Sequence, residues 1–255
     1  MRPSGLALML ALILATARPS LASLPPQTQE VIARYLAELN RVESVRGRTS
    51  IEPLFALTDT LQEYLFYGEL LENRNWSQKE HPPTMEDLSE SEYAELSKQL
   101  RGILLNRDEV VIAEPDSSTF LPLARRKGLK PDRDFMDVYF MTRPCAWPAY
   151  VVQETDYSGC DDYGTGKIVT LYGEWRRYRS AHPKNYVSAA TQQLEEIQNS
   201  LADPGSPCGG PDSVTRELQQ FLSRFPNDPI TPKVRDVLNA IQQGRSNIRF
   251  PRGSN

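Results

Sequence analysis

Apolar side chains recur at helical spacing in three successive segments near the start of the chain. A short polar turn joins the first two segments, and the third opens with Ser89 and Glu92, which have the spacing of a capping box. Because positions three and four residues apart share a helix face, three helices are predicted, the first two as an antiparallel pair. The apolar positions are Val31, Ile32, Tyr35, Leu36, Leu39 and Val42 in the first, Leu54, Leu57, Leu61, Tyr64, Leu65 and Leu71 in the second, and Tyr93, Leu96, Leu100, Ile103 and Leu104 in the third.

Two more helices are predicted ahead of the middle of the chain, each with recognisable end signals. The delimiting residues are Asp116 and Ser117 as caps and Gly128 as the end of the first, and Pro131 and Pro144 on either side of the second. Before them, the apolar run at 110–113 fits either a short strand or a buried link. These segments together predict an N-terminal helical bundle.

The helical period disappears between residues 143 and 166. This segment is rich in the turn formers Asp and Gly, and it includes a β-like run, AYVV, at 149–152. It also holds two of the three cysteines of the chain, Cys145 and Cys160. We interpret it as an irregular joint between two helical halves.

An internal repeat follows the joint, at a fixed offset of 43 residues. Each copy reads as a helix, a turn marked by proline and a second helix, so that the bulky residues of one helix are covered by the other. The matched pairs are Trp175 with Leu218, Tyr178 with Phe221, Pro183 with Pro226 and Leu194 with Val237. A loop rich in Gly and Pro, which carries Cys208, separates the two copies.

The second copy resembles the tetratricopeptide-type hairpins of bacterial cell-envelope assembly and coordinator proteins. The likeness rests on the aromatic–leucine pair Phe221–Leu222 and on the aromatic–proline turn at Phe225–Pro226. Lys233 and Val234 depart from it, since small residues are usual at such positions. The resemblance implies a protein-binding surface and no catalytic residues.

The predicted fold is therefore mainly α: an N-terminal helical bundle and C-terminal TPR-like helical hairpins, joined by a disulfide-stapled irregular segment. The predicted boundaries are 1–22 for a signal peptide, 23–142 for the bundle, 143–166 for the joint, 167–243 for the hairpin pair and 244–255 for a flexible tail.

The first residues predict export. Arg2 precedes a short apolar run, Leu6 to Ala17, and the small residues of Ser20-Leu21-Ala22 fit a cleavage site, with Ala15-Thr16-Ala17 as a second choice. The apolar run is shorter than the roughly 20 residues that a membrane-spanning helix needs. We therefore expect a removed signal, no transmembrane anchor and a periplasmic or extracellular location.

Charge and motifs narrow the function classes. The full chain has a net charge of −4, and without the predicted signal its 33 acidic residues outnumber the basic ones further. An acidic chain argues against a nucleic-acid surface. The common hydrolase, zinc-protease, phosphate-loop and dinucleotide motifs do not occur, which favours a binding protein over an enzyme.

Three cysteines in an exported chain allow one disulfide. A bridge between Cys145 and Cys160 would close a loop of 14 intervening residues and contribute about 3 kcal/mol in the chain-entropy model. We predict this pairing, with Cys160–Cys208 and no bridge as alternatives, because spacing alone does not fix connectivity.

Carboxylates cluster in the joint, at Glu154, Asp156, Asp161 and Asp162. Calcium loops of the common kind need oxygen ligands at alternate positions, and Cys160 interrupts that pattern, so no metal or other cofactor is predicted. The remaining interpretations are a carboxylate pair for hydrolysis and a solvated turn.

Aromatic and basic residues around the joint offer a candidate binding surface. At helical spacing Trp175 and Tyr178 share a face, while arginines such as Arg176 spread around it, so a buried aromatic face with solvated arginines is the favoured interpretation. The alternative is an exposed partner site. The candidate binding residues are Trp147, Tyr157, Asp161, Asp162, Trp175, Arg176 and Tyr178.

Three functional hypotheses follow. The leading one is an exported scaffold or adaptor that binds another protein of the cell envelope through its helical-repeat surface. The others are an envelope hydrolase and a binder of glycans or small ligands, both with a site at residues 145–166.

Overall fold

The computed structural model describes residues 23–67, 84–107, 112–155 and 158–251. The predicted signal peptide, Leu71, Asp156, Tyr157 and the last four residues of the predicted tail lie outside these ranges. The helices are α1 (Pro26–Ser44), α2 (Glu52–Tyr67), α3 (Glu90–Gln99), α4 (Ser117–Lys127), α5 (Lys130–Thr142), α6 (Lys167–Ala181), α7 (Val187–Ala202), α8 (Pro211–Arg224) and α9 (Thr231–Gln242). The strands are β1 (Ile103–Asn106), β2 (Ile112–Pro115), β3 (Val151–Gln153) and β4 (Gly159–Asp161).

The described chain is mainly helical, as its periodicity predicts. Helix α1 buries the face that the spacing identifies, with Tyr35 and Val42 fully covered, and it packs along α2. The capping box of α3 is present, because the Ser89 backbone N–H donates to the Glu92 carboxylate at 3.0 Å and the Glu92 N–H donates to Ser89 Oγ at 3.3 Å. These local signals work because they depend on neighbouring residues alone.

The prediction of the third helix is wrong at its C-terminal end. Ile103 and Leu104 belong to β1, which pairs antiparallel with β2, and α3 ends at Gln99. Gly102 adopts a φ of +85°, which helices do not tolerate, and the Arg101 carbonyl accepts a hydrogen bond from Tyr35 Oη at 2.8 Å. The strand interpretation of the 110–113 run is confirmed for Ile112 and Ala113, while 110 and 111 lie outside the described residues.

Helices α4 and α5 begin and end as predicted. Asp116 caps α4 by accepting the Ser118 N–H at 2.9 Å, and the helix ends at Gly128. Pro131 lies in the first turn of α5, and Arg143 follows its last residue. The two helices pack against each other as a hairpin.

The joint contains a small β-structure. Strands β3 and β4 pair antiparallel, and the loop before α8 adds a third segment on the other side of β4. The Asp161 N–H donates to the Ser206 carbonyl at 2.8 Å, and the Cys208 N–H donates to the Asp161 carbonyl at 2.9 Å. The joint is therefore tied to the linker between the two C-terminal hairpins.

The predicted Cys145–Cys160 disulfide is wrong. Cys160 is bonded to Cys208, with 4.9 Å between their Cα atoms, and Cys145 is a free, exposed thiol. The pairing follows from the backbone, because the ladder between Asp161 and the 206–208 segment already brings Cys160 and Cys208 together. Sequence spacing could not reveal it, since the partners are separated by 48 positions.

Helices α6 to α9 form two successive hairpins. Their bounds repeat at the 43-residue offset to within three residues. Matched positions are also buried to the same degree. Trp175, Leu218 and Phe221 are fully buried, and Tyr178 is 4% exposed. The two hairpins stack through α6 on α8 and α7 on α9.

One aromatic cluster connects the N-terminal helices to the C-terminal hairpins. At its centre, the Phe135 ring stacks on Tyr186 with 3.8 Å between centroids. Phe55 from α2 approaches Phe135 at 4.8 Å, and Trp175 and Tyr178 from α6 each approach it at 5.6 Å. The two halves consequently share a single hydrophobic core.

Buried carboxylates join the elements at three positions. Asp132 of α5, 1% exposed, accepts hydrogen bonds from the Leu129 N–H at 2.7 Å, the Ile51 N–H at 3.1 Å and Tyr186 Oη at 2.7 Å. A buried charge is tolerated when such donors replace its water. Asp132 thereby links α2, α5 and the turn between α6 and α7.

Glu217 and Asp228 play the same role inside the hairpins. The Glu217 carboxylate, fully buried, accepts the N–H groups of Gly164 at 2.9 Å, Gly166 at 2.8 Å and Val169 at 3.1 Å, so that α8 caps the start of α6. Asp228 accepts a hydrogen bond from Tyr172 Oη at 2.8 Å and forms an ion pair with Arg176.

No helix in the described ranges is both long enough and apolar enough to cross a membrane.

The disulfide can be tested by peptide mapping. We expect non-reducing digests to contain a Cys160–Cys208 peptide, and a maleimide to label Cys145 alone without reductant. Replacing both bridged cysteines with serine should lower the free energy of unfolding by about 4 kcal/mol in the chain-entropy model, because the bridge closes a long loop. Digestion must also cut between residues 145 and 160, and recovery of a species in which Cys145 is disulfide-bonded to Cys160 would contradict the structure.

Two tyrosines of the shared core provide a matched pair. Tyr186→Phe removes the hydrogen bond to Asp132 and should cost about 2 kcal/mol of stability in urea unfolding. Tyr178→Phe should be neutral or stabilising, because its buried hydroxyl has no hydrogen-bond partner in the described part of the chain. Equal losses in the two variants would contradict the role given to Asp132.

Candidate functional site

A groove of about 340 Å³ lies between α5 and α6. Its apolar surface comes from both helices, and the Met141 side chain is 45% exposed at its edge. Charged residues from the same helices surround this apolar surface. The lining residues are Lys130, Asp134, Asp137, Val138 and Met141 from α5, and Glu174, Arg177, Tyr178, Ala181 and His182 from α6 and its end.

Ion pairs hold the rim of the groove in place. Asp134 accepts a hydrogen bond from Lys130 one turn away and lies 2.7 Å from Nε2 of His182 across the groove. Burial alone would raise the pKa of Asp134, but the hydrogen bonds from Lys130 and His182 outweigh it and hold the pKa below its usual range. Asp134 therefore stays ionised and fixes the spacing of the two helices at this end.

A second concavity, the polar recess, lies on another side of α5, between α2, β2 and α7. It has a volume of about 130 Å³ and adjoins a side chamber of about 120 Å³ that reaches the free Cys145. The recess is lined by Phe55, Asp59 and Gln62 from α2, Glu114 and Pro115 from β2, Tyr139 and Arg143 from α5 and its end, and Ala189, Gln192 and Gln193 from α7.

Arg143 forms one wall of the polar recess. Its guanidinium donates to Glu196 Oε2 at 2.7 Å and to Gln193 Oε1 at 3.3 Å, both on α7. Its side chain is 20% exposed, so this ion pair is partly desolvated. The rings of Phe55 and Tyr139 meet edge to face beside it, with centroids 4.9 Å apart.

Two carboxyl groups of the polar recess have raised pKa values. Asp59 is exposed at the protein surface, yet the protein around its carboxylate displaces water and, together with Glu63, raises the pKa to about 6, against the opposing charge of Arg143. Burial likewise raises the pKa of Glu114, again opposed by Arg143. Groups with shifted pKa values in a concave site are typical of binding and catalytic sites.

The structure does not gather the residues that the sequence singled out. Trp175 is fully buried and donates from Nε1 to Thr142 Oγ1 at 2.8 Å, and Tyr178 is 4% exposed. Both belong to the shared core, in agreement with the favoured interpretation of a buried aromatic face on this helix. Tyr178 is also one of the residues that line the groove.

The remaining candidates lie apart from these two aromatics. Arg176 pairs with Asp228 at the turn between α8 and α9. Asp161 lies on β4 and accepts a hydrogen bond from Tyr163 Oη at 3.3 Å, while Asp162 pairs with Lys167 at 3.4 Å. Trp147 is half-buried in the joint, and Tyr157 is outside the described residues.

The residues that line the recess carry little sequence signal. Asp59 and Glu114 are single acids in otherwise ordinary segments, and Arg143 directly precedes Pro144, which marks a predicted helix end. The available signal was weak: Phe55, Asp59 and Gln62 share one face of α2, which places a charge next to an apolar face.

Comparison with protein-family models, with curated proteins and with solved structures found no match to this chain. Within the described residues, no group of three or more His, Cys, Asp or Glu side chains is arranged to hold a metal ion.

The raised pKa of Asp59 predicts a pH-dependent cost to stability. An acid with a folded-state pKa of about 6 and a lower unfolded value destabilises the fold once pH exceeds both values, and the cost disappears when pH falls below them. Asp59→Asn should therefore raise the melting temperature at pH 7.5 and change it little at pH 4. Glu195→Gln, an exposed site on α7, is the control. A lower melting temperature for Asp59→Asn at pH 7.5 would contradict this assignment.

Proposed function

We propose that the protein is an exported helical scaffold that binds a segment of a partner protein of the cell envelope. The observation that supports this most is the groove between α5 and α6, which combines an apolar floor with a charged rim. Such grooves accept extended or helical segments by burying apolar side chains and fixing their flanks through polar contacts.

The arrangement of helices supports a binding role. The hairpins α4–α5, α6–α7 and α8–α9 follow one another, and each packs on the next through α5 with α6 and through α6 with α8. Arrays of this kind, including the tetratricopeptide-type hairpins that the sequence resembles, present extended surfaces to other proteins. Because the array is cross-linked by buried carboxylates, its groove is preorganised for a partner.

The occupant of the groove is proposed to be a segment with an apolar side chain the size of Leu or Met. Val138, Met141 and Ala181 provide the apolar contact. Elsewhere in 171–243, Val187 is the one large apolar side chain that is well exposed among the described residues. We therefore propose that the partner binds at the junction of α5 and α6 and not along the whole repeat.

Export is the second part of the proposal. It rests on the signal-like sequence at the start of the chain, and a disulfide suits an oxidising compartment. The alternatives with a site at residues 145–166 receive less support, because Asp161 already bonds to Tyr163 and Asp162 already pairs with Lys167 at the start of α6.

Site-specific photo-crosslinking tests the groove. A benzophenone amino acid at Met141 or at Ala181, both exposed, should give the same discrete crosslinked species in an envelope extract of the source organism. The same probe at Glu195, exposed on α7, should not. Ala181→Trp fills the groove from a solvent-facing position and should reduce the Met141 crosslink at least about tenfold. Crosslinks of equal strength at all three positions, or none at the groove positions, would contradict the proposal.

A further inference from the structure

The polar recess contains hydrogen-bonding capacity that the protein does not use. Arg143 has five N–H donors, and its two bonds to Glu196 and Gln193 leave three free in the described structure. The carboxylates of Asp59 and Glu114 make no hydrogen bond to another described residue. Unused donors and acceptors thus line one small cavity together.

The polar recess has more negative than positive charge. Arg143 is the one cation among the lining residues of the recess, and its charge is shared between its ion-pair partner Glu196, at 2.7 Å, and the carboxylates of Asp59 and Glu114, so negative charge is in excess. A positively charged group placed beside both carboxylates would balance this excess. Arg143 lines the same cavity, and its unused N–H groups suit a carboxylate, which a guanidinium can bind in a bidentate manner.

The size and walls of the cavity restrict the ligand further. A volume of about 130 Å³ holds a small molecule but not a folded segment of protein. Phe55 and Tyr139 provide an apolar face beside the charged groups. The planar amides of Gln192 and Gln193 close the remaining side from α7.

We infer that the polar recess binds a free α-amino acid, with its ammonium group between Asp59 and Glu114 and its carboxylate on Arg143. The side chain of the ligand then lies against the rings of Phe55 and Tyr139. An amine alone would leave the Arg143 donors unused, and a carboxylate alone would leave both acids unpaired. This site is separate from the groove and is additional to the proposed scaffold function.

Calorimetric titration of the full chain tests the inference, with the twenty standard L-amino acids as probes. We expect at least one of them to bind with a stoichiometry of one. For that amino acid, the corresponding decarboxylated amine and deaminated acid should each bind at least about tenfold more weakly; for L-alanine these are ethylamine and propionate. Absence of binding by all twenty, or equal binding of the amine, would overturn the proposal. Binding of glucose, which has neither an ammonium nor a carboxylate group, with no binding of any amino acid would also overturn the proposal.

Substitutions locate the site. Asp59→Asn and Glu114→Gln preserve side-chain shape and should each weaken amino-acid binding at least about tenfold, whereas Glu195→Gln should leave it unchanged. Arg143→Lys keeps the charge but loses the bidentate geometry and should also weaken binding. If Arg143→Lys does not fold, as circular dichroism would show, the two acid variants decide. Unchanged affinity in both acid variants would exclude the recess as the site.

Discussion

The carboxylate of Asp132 is the contact on which the arrangement of the two helical halves depends. A buried charge is stable only with its hydrogen bonds satisfied, and the donors here come from the start of α2, the start of α5 and the turn before α7. That turn is held a second time, because the Tyr186 N–H donates to Glu52 at 2.6 Å. Tyr186 also has a φ of +47°, a conformation that costs about 1–2 kcal/mol and persists only because these contacts fix it.

The same physical requirement shapes the C-terminal hairpins. Glu217 satisfies three backbone N–H groups at the start of α6, two of them from glycines with positive φ, where a side chain would be strained. Because a carboxylate left without these donors would be strongly destabilising, each acid permits one register between its neighbours. The Cys160–Cys208 bridge then ties the joint to the same hairpins, so the joint is part of the framework as well as a connection.

The sequence predicted the parts of this fold that depend on local patterns. The buried face of α1, the capping box at Ser89 and the bounds of α4 and α5 follow from residues within one or two turns of each other. The errors concern distant partners. The end of α3 is set by Gly102 and by Tyr35 on another helix, and the partner of Cys160 is set by a backbone ladder to the next loop. The polar recess escaped prediction for the same reason, since Asp59, Glu114 and Arg143 meet only through tertiary packing.

Helix α5 belongs to both candidate sites, on different faces. Its Val138 and Met141 line the groove, while Tyr139 and the adjoining Arg143 line the polar recess. Asp132 and Phe135, which lie on the same side of α5 as Tyr139, fix the helix in the shared core. Because these contacts hold α5 in place, the walls of both concavities are already ordered, and a ligand at either would not have to order them. The buried acid and the stacked aromatic ring of α5 therefore stabilise the fold and keep both concavities open.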